Sequence, residues 1–310
     1  MVKTAFMFPG QGSQSVGMLA DLVDSAPARA VFAQASEVLG YDLWELIASD
    51  PEERLGQTEF TQPALLTSSV ALWQLAQESG QTPDVILGHS LGEYSALVAG
   101  GVIGLADGVA LVQKRGQFMQ SAVPVGVGGM AAILGLDDDV VTEICVNVAG
   151  DEVVQPANHN APGQIVIAGH MGALERAIGA CQEAGAKRAV LLAVSAPFHS
   201  VLLKPAADRM ADELARVEFS APACRLIQNV HAGFESDPNA IRDNLVRQIY
   251  NPVLWSASIA TVAEAGIECI VECGPGKVLT GLTRRIDKRL KSLTINDQAS
   301  LAKATEELAA

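Results

Sequence analysis

The chain has 310 residues, 49% hydrophobic and 18% charged, with a formal net charge of −14. That profile fits a folded chain with a large core and excludes a disordered one, and no apolar run reaches the roughly 18–20 residues that cross a bilayer. The acidic surplus argues against wrapping nucleic acid or lying on an anionic membrane, and it allows acidic ligands only where positive charge is concentrated locally. The start, MVKTAFMFPGQGSQ, lacks the apolar length of a secretory signal, so a cytoplasmic protein is expected. The five cysteines have scattered spacings that suggest neither a disulfide framework nor a zinc site, and free buried thiols are expected.

In chain order, TAFMFPG (4–10) reads as a strand stopped at Pro-Gly. Residues 26–39 and 61–79 read as helices, the second starting around Thr61 and Pro63. DVILGHS (84–90) is a buried strand, and LGEYSALVAGG continues from it as a helix stopped by the glycine pair. A further helix is predicted over 106–121. From 125 to 195 the pattern becomes strand, helix, two strands around an Asn-Ala-Pro-Gly turn, helix, and a last strand over 187–194. The order βαββαβ is that of a ferredoxin-like module, inserted here in a larger α/β domain formed by 1–124 and 196–310. Helical stretches, the strand ECIVECG (268–274) and a final helix complete that domain, whose alternation of strands and helices predicts a parallel sheet.

Gly88-His89-Ser90-Leu91-Gly92 fits G-x-S-x-G, and its place between strand and helix gives the match its meaning. Glycines allow a tight, strained turn that presents the middle side chain as a nucleophile. The free amides that open the following helix can hold an oxyanion, with the Leu91 N–H as first donor. A serine that only caps a helix is the competing reading. His89 is a poor base for its neighbour, since adjacent side chains on such a turn diverge. Of the other histidines (159, 170, 199 and 231), His199 stands just past a strand's carboxyl end, where α/β folds build their sites. Gly10-Gln11-Gly12 lets a backbone N–H approach a ligand closely. A dinucleotide loop is disfavoured there, because Ser15 stands where a third glycine is wanted.

Eight motifs run in order over nearly the whole chain: FPGQGSQ (8–14), TQPAL (61–65), GHSLGEYSALVAGG (88–101), QKRGQFMQ (113–120), NAPGQIVIAG (160–169), PFHS (197–200), RQIYNPVLW (247–255) and ECGPGKVLTGLTRRI (272–286). Together they resemble the malonyl-coenzyme A:acyl carrier protein transacylases of dissociated bacterial fatty-acid synthesis. The resemblance implies an α/β-hydrolase-like large domain with a ferredoxin-like small one. It implies Ser90 as nucleophile and His199 as base, the latter paired with the main-chain carbonyl of Gln248. Gln11 is then the second oxyanion donor, Arg115 the partner of malonate's free carboxylate, and Asn160 part of the pocket wall. Phe198 stands where many members carry a small residue. In related polyketide-synthase domains Phe there goes with malonyl over methylmalonyl, which implies selectivity for unbranched malonate.

These residues imply a ping-pong transfer of malonyl from malonyl-coenzyme A, a substrate, to an acyl carrier protein, with no metal or other cofactor. Carrier proteins are acidic, so docking needs local positive charge, for which Lys187, Arg188, Arg284, Arg285, Lys288 and Arg289 are candidates. The last four, with Lys291, are expected on or beside one helix. Two rivals remain open: an α/β-hydrolase-type thioesterase, and a non-catalytic carrier-binding subunit.

Overall fold

The computed structural model describes residues 2–194 and 196–309 and builds a mixed α/β protein with two sheets. Met1, Ser195 and Ala310, which stand at ends of the expected domains, lie outside the described residues. Across its width the larger sheet runs β10 (Lys291–Ile295), β9 (Cys269–Cys273), β1 (Thr4–Phe8), β2 (Val85–Gly88), β7 (Arg225–Gln228) and β8 (Gly233–Glu235). All its neighbours pair in parallel except β8, which runs antiparallel to β7.

Alternate side chains of β1 point to opposite faces of this sheet. Phe6 and Phe8 join a core with α1 (Ala26–Leu39), α2 (Leu43–Ser49), α3 (Thr58–Glu78), α4 (Gly92–Ala99) and α5 (Leu105–Ser121). Ala5 and Met7 pack on the other side with Trp255 and Ile259 of α10 (Trp255–Glu264) and Leu279 of α11 (Val278–Ile286). A sheet covered on both faces needs continuous apolar strands, and VILG and CIVEC are of that kind.

The smaller sheet has the order β4 (Val154–Ala161), β5 (Gln164–His170), β3 (Gly128–Leu134), β6 (Arg188–Leu191), all antiparallel. Here α6 (Asp138–Ala149) and α7 (Met171–Glu183) cover one face, with Val141, Cys145, Leu174 and Cys181 in its core. β4 is tied to the larger body: His159 N–H donates to the Val253 carbonyl at 2.9 Å and Val253 N–H to that of Ala157 at 2.9 Å. The remaining α-helices among the described residues are α8 (Lys204–Leu214), α9 (Pro238–Gln248) and α12 (Gln298–Ala309). No helix among the described residues is long and apolar enough to cross a membrane.

Several expected boundaries move. β1 ends at Phe8 and does not run to residue 10, since Pro9 has no N–H for the ladder. α3 starts at Thr58, which places Pro63 inside the helix and not at its start. Thr61 then does not open the helix: its hydroxyl bonds back to the Leu55 and Gln57 carbonyls at 2.6 and 3.0 Å. The strand expected over 187–194 ends at Leu191, and Leu192 and Val194 turn into the cleft described below. β7, β8, β10 and α2 are short elements that the sequence reading passed over. All five cysteines are free; Cys224 is half-buried and the other four are buried.

Candidate active site

Ser90 stands two residues past the end of β2 and two before the first residue of α4, with a left-handed backbone of φ 52°. Such a φ is uncommon for a side-chain-bearing residue and persists only where the surroundings enforce it. Here close backbone packing does so. A Cβ on Gly88 would lie 1.9 Å from the Gly92 carbonyl oxygen, and one on Gly92 would lie 2.0 Å from that of Phe8. A Cβ on Gly10 would come within 2.6 Å of the His89 carbonyl oxygen, so the loop after β1 also presses against the elbow. Asn229, just past β7, pins the turn: its Oδ1 accepts from Ser90 N–H at 2.7 Å and its Nδ2 donates to the Gly88 carbonyl at 2.7 Å.

The structure brings His199 to this serine, with Oγ and Nε2 2.7 Å apart. The other ring nitrogen, Nδ1, lies 2.8 Å from the main-chain carbonyl of Gln248. A carbonyl only accepts, so Nδ1 carries the hydrogen and Nε2 offers its lone pair to the Ser90 hydroxyl. Burial, reinforced by the Arg115 charge, pushes the His199 pKa down to about 3, which keeps the ring neutral as a base requires.

Arg115 reaches the same place from α5. Gly116 lets α5 touch the first turn of α3, since a Cβ there would meet Glu59 Cα at 2.6 Å. The guanidinium is buried and donates to Ser90 Oγ at 3.1 Å, Gln62 Oε1 at 2.8 Å and Gln248 Oε1 at 2.9 Å. Its Nε is buried without a hydrogen-bond partner, and among the described residues no carboxylate stands within ion-pairing distance. A buried cation held only by neutral groups is costly unless an anion joins it.

Around these groups lies a cleft of about 240 Å³, whose lining includes Gln11, Leu91, Asn160 and Phe198. The backbone N–H groups of Gln11 and Leu91 donate to no described residue. His89 turns away from Ser90, with Nε2 2.8 Å from Asn160 Oδ1 and its ring against Trp255. The Phe198 ring is buried in the wall. A larger hollow, about 530 Å³, lies beside Cys269, Lys291 and Glu307 but has no nucleophile–base pair; chemistry, not size, selects the site.

Sequence reasoning missed Gln62, Glu93, Gln228 and Asn229. Gln62 stood inside the TQPAL match and Glu93 inside the GHSLGEYSALVAGG match, both without a role; Gln228 and Asn229 carried no local signal. Glu93 is fully buried on α4, where its carboxylate accepts from Gln228 Nε2, Asn229 N–H and Gln248 Nε2 at 2.9, 3.0 and 2.9 Å. Burial pushes its pKa up to about 7, although those donors and Arg115 pull the other way.

The expected basic cluster is divided. α11 ends at Ile286, so Lys288 and Arg289 lie past it and Lys291 begins β10. Arg289 is paired with Asp287, Lys291 with Glu307, and Arg285 donates to Gln164 at 2.6 Å. Lys187 lays its stem over Gly135, on the smaller sheet's side of the molecule.

A serine–histidine pair on a strand-to-helix elbow, beside a buried guanidinium, defines an α/β enzyme built to handle acyl groups. The chain belongs to the acyl transferase family: the model described as "Acyl transferase domain" matches residues 5–305. It is 55% identical over 306 residues to the malonyl CoA-acyl carrier protein transacylase of Salmonella typhimurium, covering 98% of this chain and 99% of that one. Among solved structures, an acyl carrier protein S-malonyltransferase from Vibrio cholerae is 54% identical with a TM-score of 0.96, covering 97% and 99% of the two chains. A malonyl-transacylase solved in complex with a type II PKS acyl-carrier protein is 51% identical with a TM-score of 0.96, covering 98% and 99%.

Proposed function

We propose that this acyltransferase moves malonyl from coenzyme A to the phosphopantetheine thiol of an acyl carrier protein, through malonyl-Ser90, in fatty-acid synthesis. The names of the relatives support the two substrates, and the buried Arg115 beside Ser90 carries the reading. A planar guanidinium holds a carboxylate by two parallel hydrogen bonds, so a free carboxylate on the acyl group is what this cation lacks.

The Ser90 hydroxyl passes its proton to His199 Nε2 as Oγ bonds to the thioester carbonyl carbon. The Gln248 carbonyl holds the imidazole in the required tautomer and faces the positive charge that forms on it. The Gln11 and Leu91 amides donate to the developing oxyanion. The C–S bond then breaks, and coenzyme A leaves with the proton from His199. In the second half the carrier thiol gives its proton to His199 and its sulfur attacks the malonyl ester. Ser90 leaves with that proton, so both halves balance within the chain's own residues and call for no cofactor. Asn160 contributes to the pocket wall, and Phe198 fills the room that an α-methyl would need.

We read 1–124 with 196–310 as an α/β-hydrolase-like catalytic domain and 125–195 as a ferredoxin-like insert. The parallel sheet supports the first, and the order β4-β5-β3-β6 supports the second. A coenzyme A thioester as substrate supports a cytoplasmic location. For the acidic carrier we assign docking to Arg284 and Lys288, with Arg285, Arg289, Lys187 and Arg188 as further contributors. Reversing Arg284 and Arg285 should raise the carrier's KM and leave loading by malonyl-coenzyme A unchanged.

The deciding experiment is a pulse with malonyl-coenzyme A followed by mass spectrometry. One malonyl adduct on Ser90 that moves to added carrier protein is the expected result. Free malonate without acyl carrier product points to a thioesterase, and no adduct at all to a carrier-binding subunit.

A further inference from the structure

The side chain of Gln248 does work separate from that of its carbonyl. Its Nε2 donates to Glu93 Oε2 at 2.9 Å and to the Ser90 carbonyl at 3.0 Å, while its Oε1 accepts from Arg115 at 2.9 Å. An amide can sit either way round, and neighbours decide which way. Glu93 is met by three donors, from Gln228, the Asn229 N–H and Gln248, so its oxygens accept and hold the NH2 end of Gln248 toward themselves and the oxygen end toward the guanidinium. Turned over, Gln248 would set its NH2 against the donors of Arg115 and its oxygen against the Ser90 carbonyl. Both contacts are repulsive.

Glu93 is itself held so that it cannot relax. The Asn229 N–H is backbone and cannot turn. Gln228 Nε2 also donates to the Ile241 carbonyl at 3.2 Å, and Gln228 Oε1 accepts from Asn244 at 2.8 Å, so that amide is fixed as well. The chain of contacts runs from Asn244 through Gln228, Glu93 and Gln248 to Arg115, and each step allows one orientation.

We propose that Glu93 is a positioning residue for acyl-group selection, acting through the Gln248 amide to fix Arg115 where a carboxylate-bearing acyl chain is gripped. The inference rests on the reading of Arg115 as the carboxylate partner. It distinguishes acyl groups: malonyl uses the guanidinium and acetyl does not. A residue that only stabilised the fold would change both alike.

The test measures Ser90 loading by malonyl- and acetyl-coenzyme A in wild type and variants, by mass spectrometry over time. Glu93→Met keeps the side chain's length and removes all acceptors. We expect the malonyl-to-acetyl ratio to fall roughly tenfold or more, as for losing a hydrogen bond to a charged group, mainly through the KM for malonyl-coenzyme A. Glu93→Gln keeps the oxygen that serves Asn229 N–H and Gln248 together but sets its NH2 against the fixed NH2 of Gln228, so it should keep part of the ratio and lose less than Glu93→Met. Glu93→Met with Gln248→Met should lose no more ratio than either alone. Should Glu93→Met not fold, Glu93→Asp, one methylene shorter, carries the same measurement. Equal losses for both acyl groups, or additive losses in the double variant, overturn the proposal. Arg115→Met separates the two layers. If it abolishes the ratio while Glu93→Met keeps it, only the role of Glu93 falls; if it leaves the ratio intact, the carboxylate reading falls first.

Discussion

Ser90 and His199 both occupy left-handed backbone, at φ 52° and 60°, and face each other with Oγ and Nε2 2.7 Å apart. Two strained residues from distant parts of the chain meet because the folded core holds both turns, not because either turn prefers that shape. The pair is therefore preorganised, and the imidazole arrives neutral. With its pKa pushed down to about 3 by burial first and the Arg115 charge second, His199 does not gain a proton near the ordinary imidazole value. We expect the rate of malonyl loading on Ser90 to carry no imidazole limb between roughly pH 5 and 8. Stopped-flow loading across that range checks it; a limb near 6.5 that persists in Glu93→Gln would contradict the depressed value.

Stability should show the same group with a definite sign. His199 has a folded pKa of about 3 against 6.5 unfolded, so below 6.5 the unfolded chain takes up the proton first and the fold weakens as pH falls. Glu93 runs the other way, with about 7 folded against 4.5 unfolded, so the fold gains as pH falls from 7 to 4.5. Between 6.5 and 4.5 the two contributions oppose, and below 4.5 only that of His199 remains. In Glu93→Gln the opposition is gone, and between pH 7 and 4.5 we expect its stability to fall away from that of the wild type by up to about 1.4 kcal/mol per pH unit. Denaturant melts of the wild type, Glu93→Gln and His199→Asn at several pH values read this directly. Parallel curves for all three would refute it.

How far the sequence reached follows from how local each signal is. The Ser90 elbow is written in consecutive residues, with an apolar strand before it, glycines at both shoulders and a helix after it. His199 had only its position past a strand, and its pairing with the Gln248 carbonyl came from resemblance, since a carbonyl leaves no mark in the side-chain alphabet. Glu93 was illegible because a glutamate in the first turn of a helix normally faces water and complements the helix dipole. Its burial depends on Gln228 and Gln248, which are 135 and 155 residues away. The short strands β7 and β10 failed for a related reason: their pairing partners, not their composition, make them strands.

The steric argument for the elbow can be tested against a neutral site. Gly92→Ala sets a methyl 2.0 Å from the Phe8 carbonyl oxygen, where only backbone movement relieves the clash. We expect loss of loading together with several kcal/mol of stability, in the range known for overpacking and above. Gly179, on α7, has nothing within 4 Å of an added Cβ. Gly179→Ala should instead raise stability by up to about 1 kcal/mol, the helix propensity difference. Thermal melts of the two variants should move in opposite directions.

Asn229 offers a different lever on the same turn, electrostatic and not steric. Its side chain satisfies Ser90 N–H and Gly88 C=O at once, both at 2.7 Å. Asn229→Ala leaves the buried Gly88 carbonyl and the half-buried Ser90 N–H without partners at a strained φ. We expect about 1–3 kcal/mol of lost stability for each such group. Loading should slow through kcat, with KM for malonyl-coenzyme A little changed, since Arg115 is untouched. A selective rise in KM would mean that Asn229 shapes the binding of substrate and not the nucleophile.

Selectivity at the acyl carbon is expected to depend on the wall of the cleft. Phe198 immediately precedes His199, and its ring is buried among cleft residues that include Met119, Met130 and Val166. In the proposed reaction an α-methyl on the acyl group would lie beside the carbon that Ser90 attacks, so a ring anchored next to His199 would exclude it. Hydrophobic walls discriminate one methyl by only about 1–3 kcal/mol. Phe198→Ala should therefore raise methylmalonyl loading relative to malonyl by roughly tenfold to a hundredfold and no further. The substitution also opens space next to His199, so malonyl loading itself should slow. Competition between the two thioesters for Ser90, read by mass spectrometry, separates these effects: a changed ratio assigns the steric gate to Phe198, and a uniform slowdown limits it to supporting the histidine.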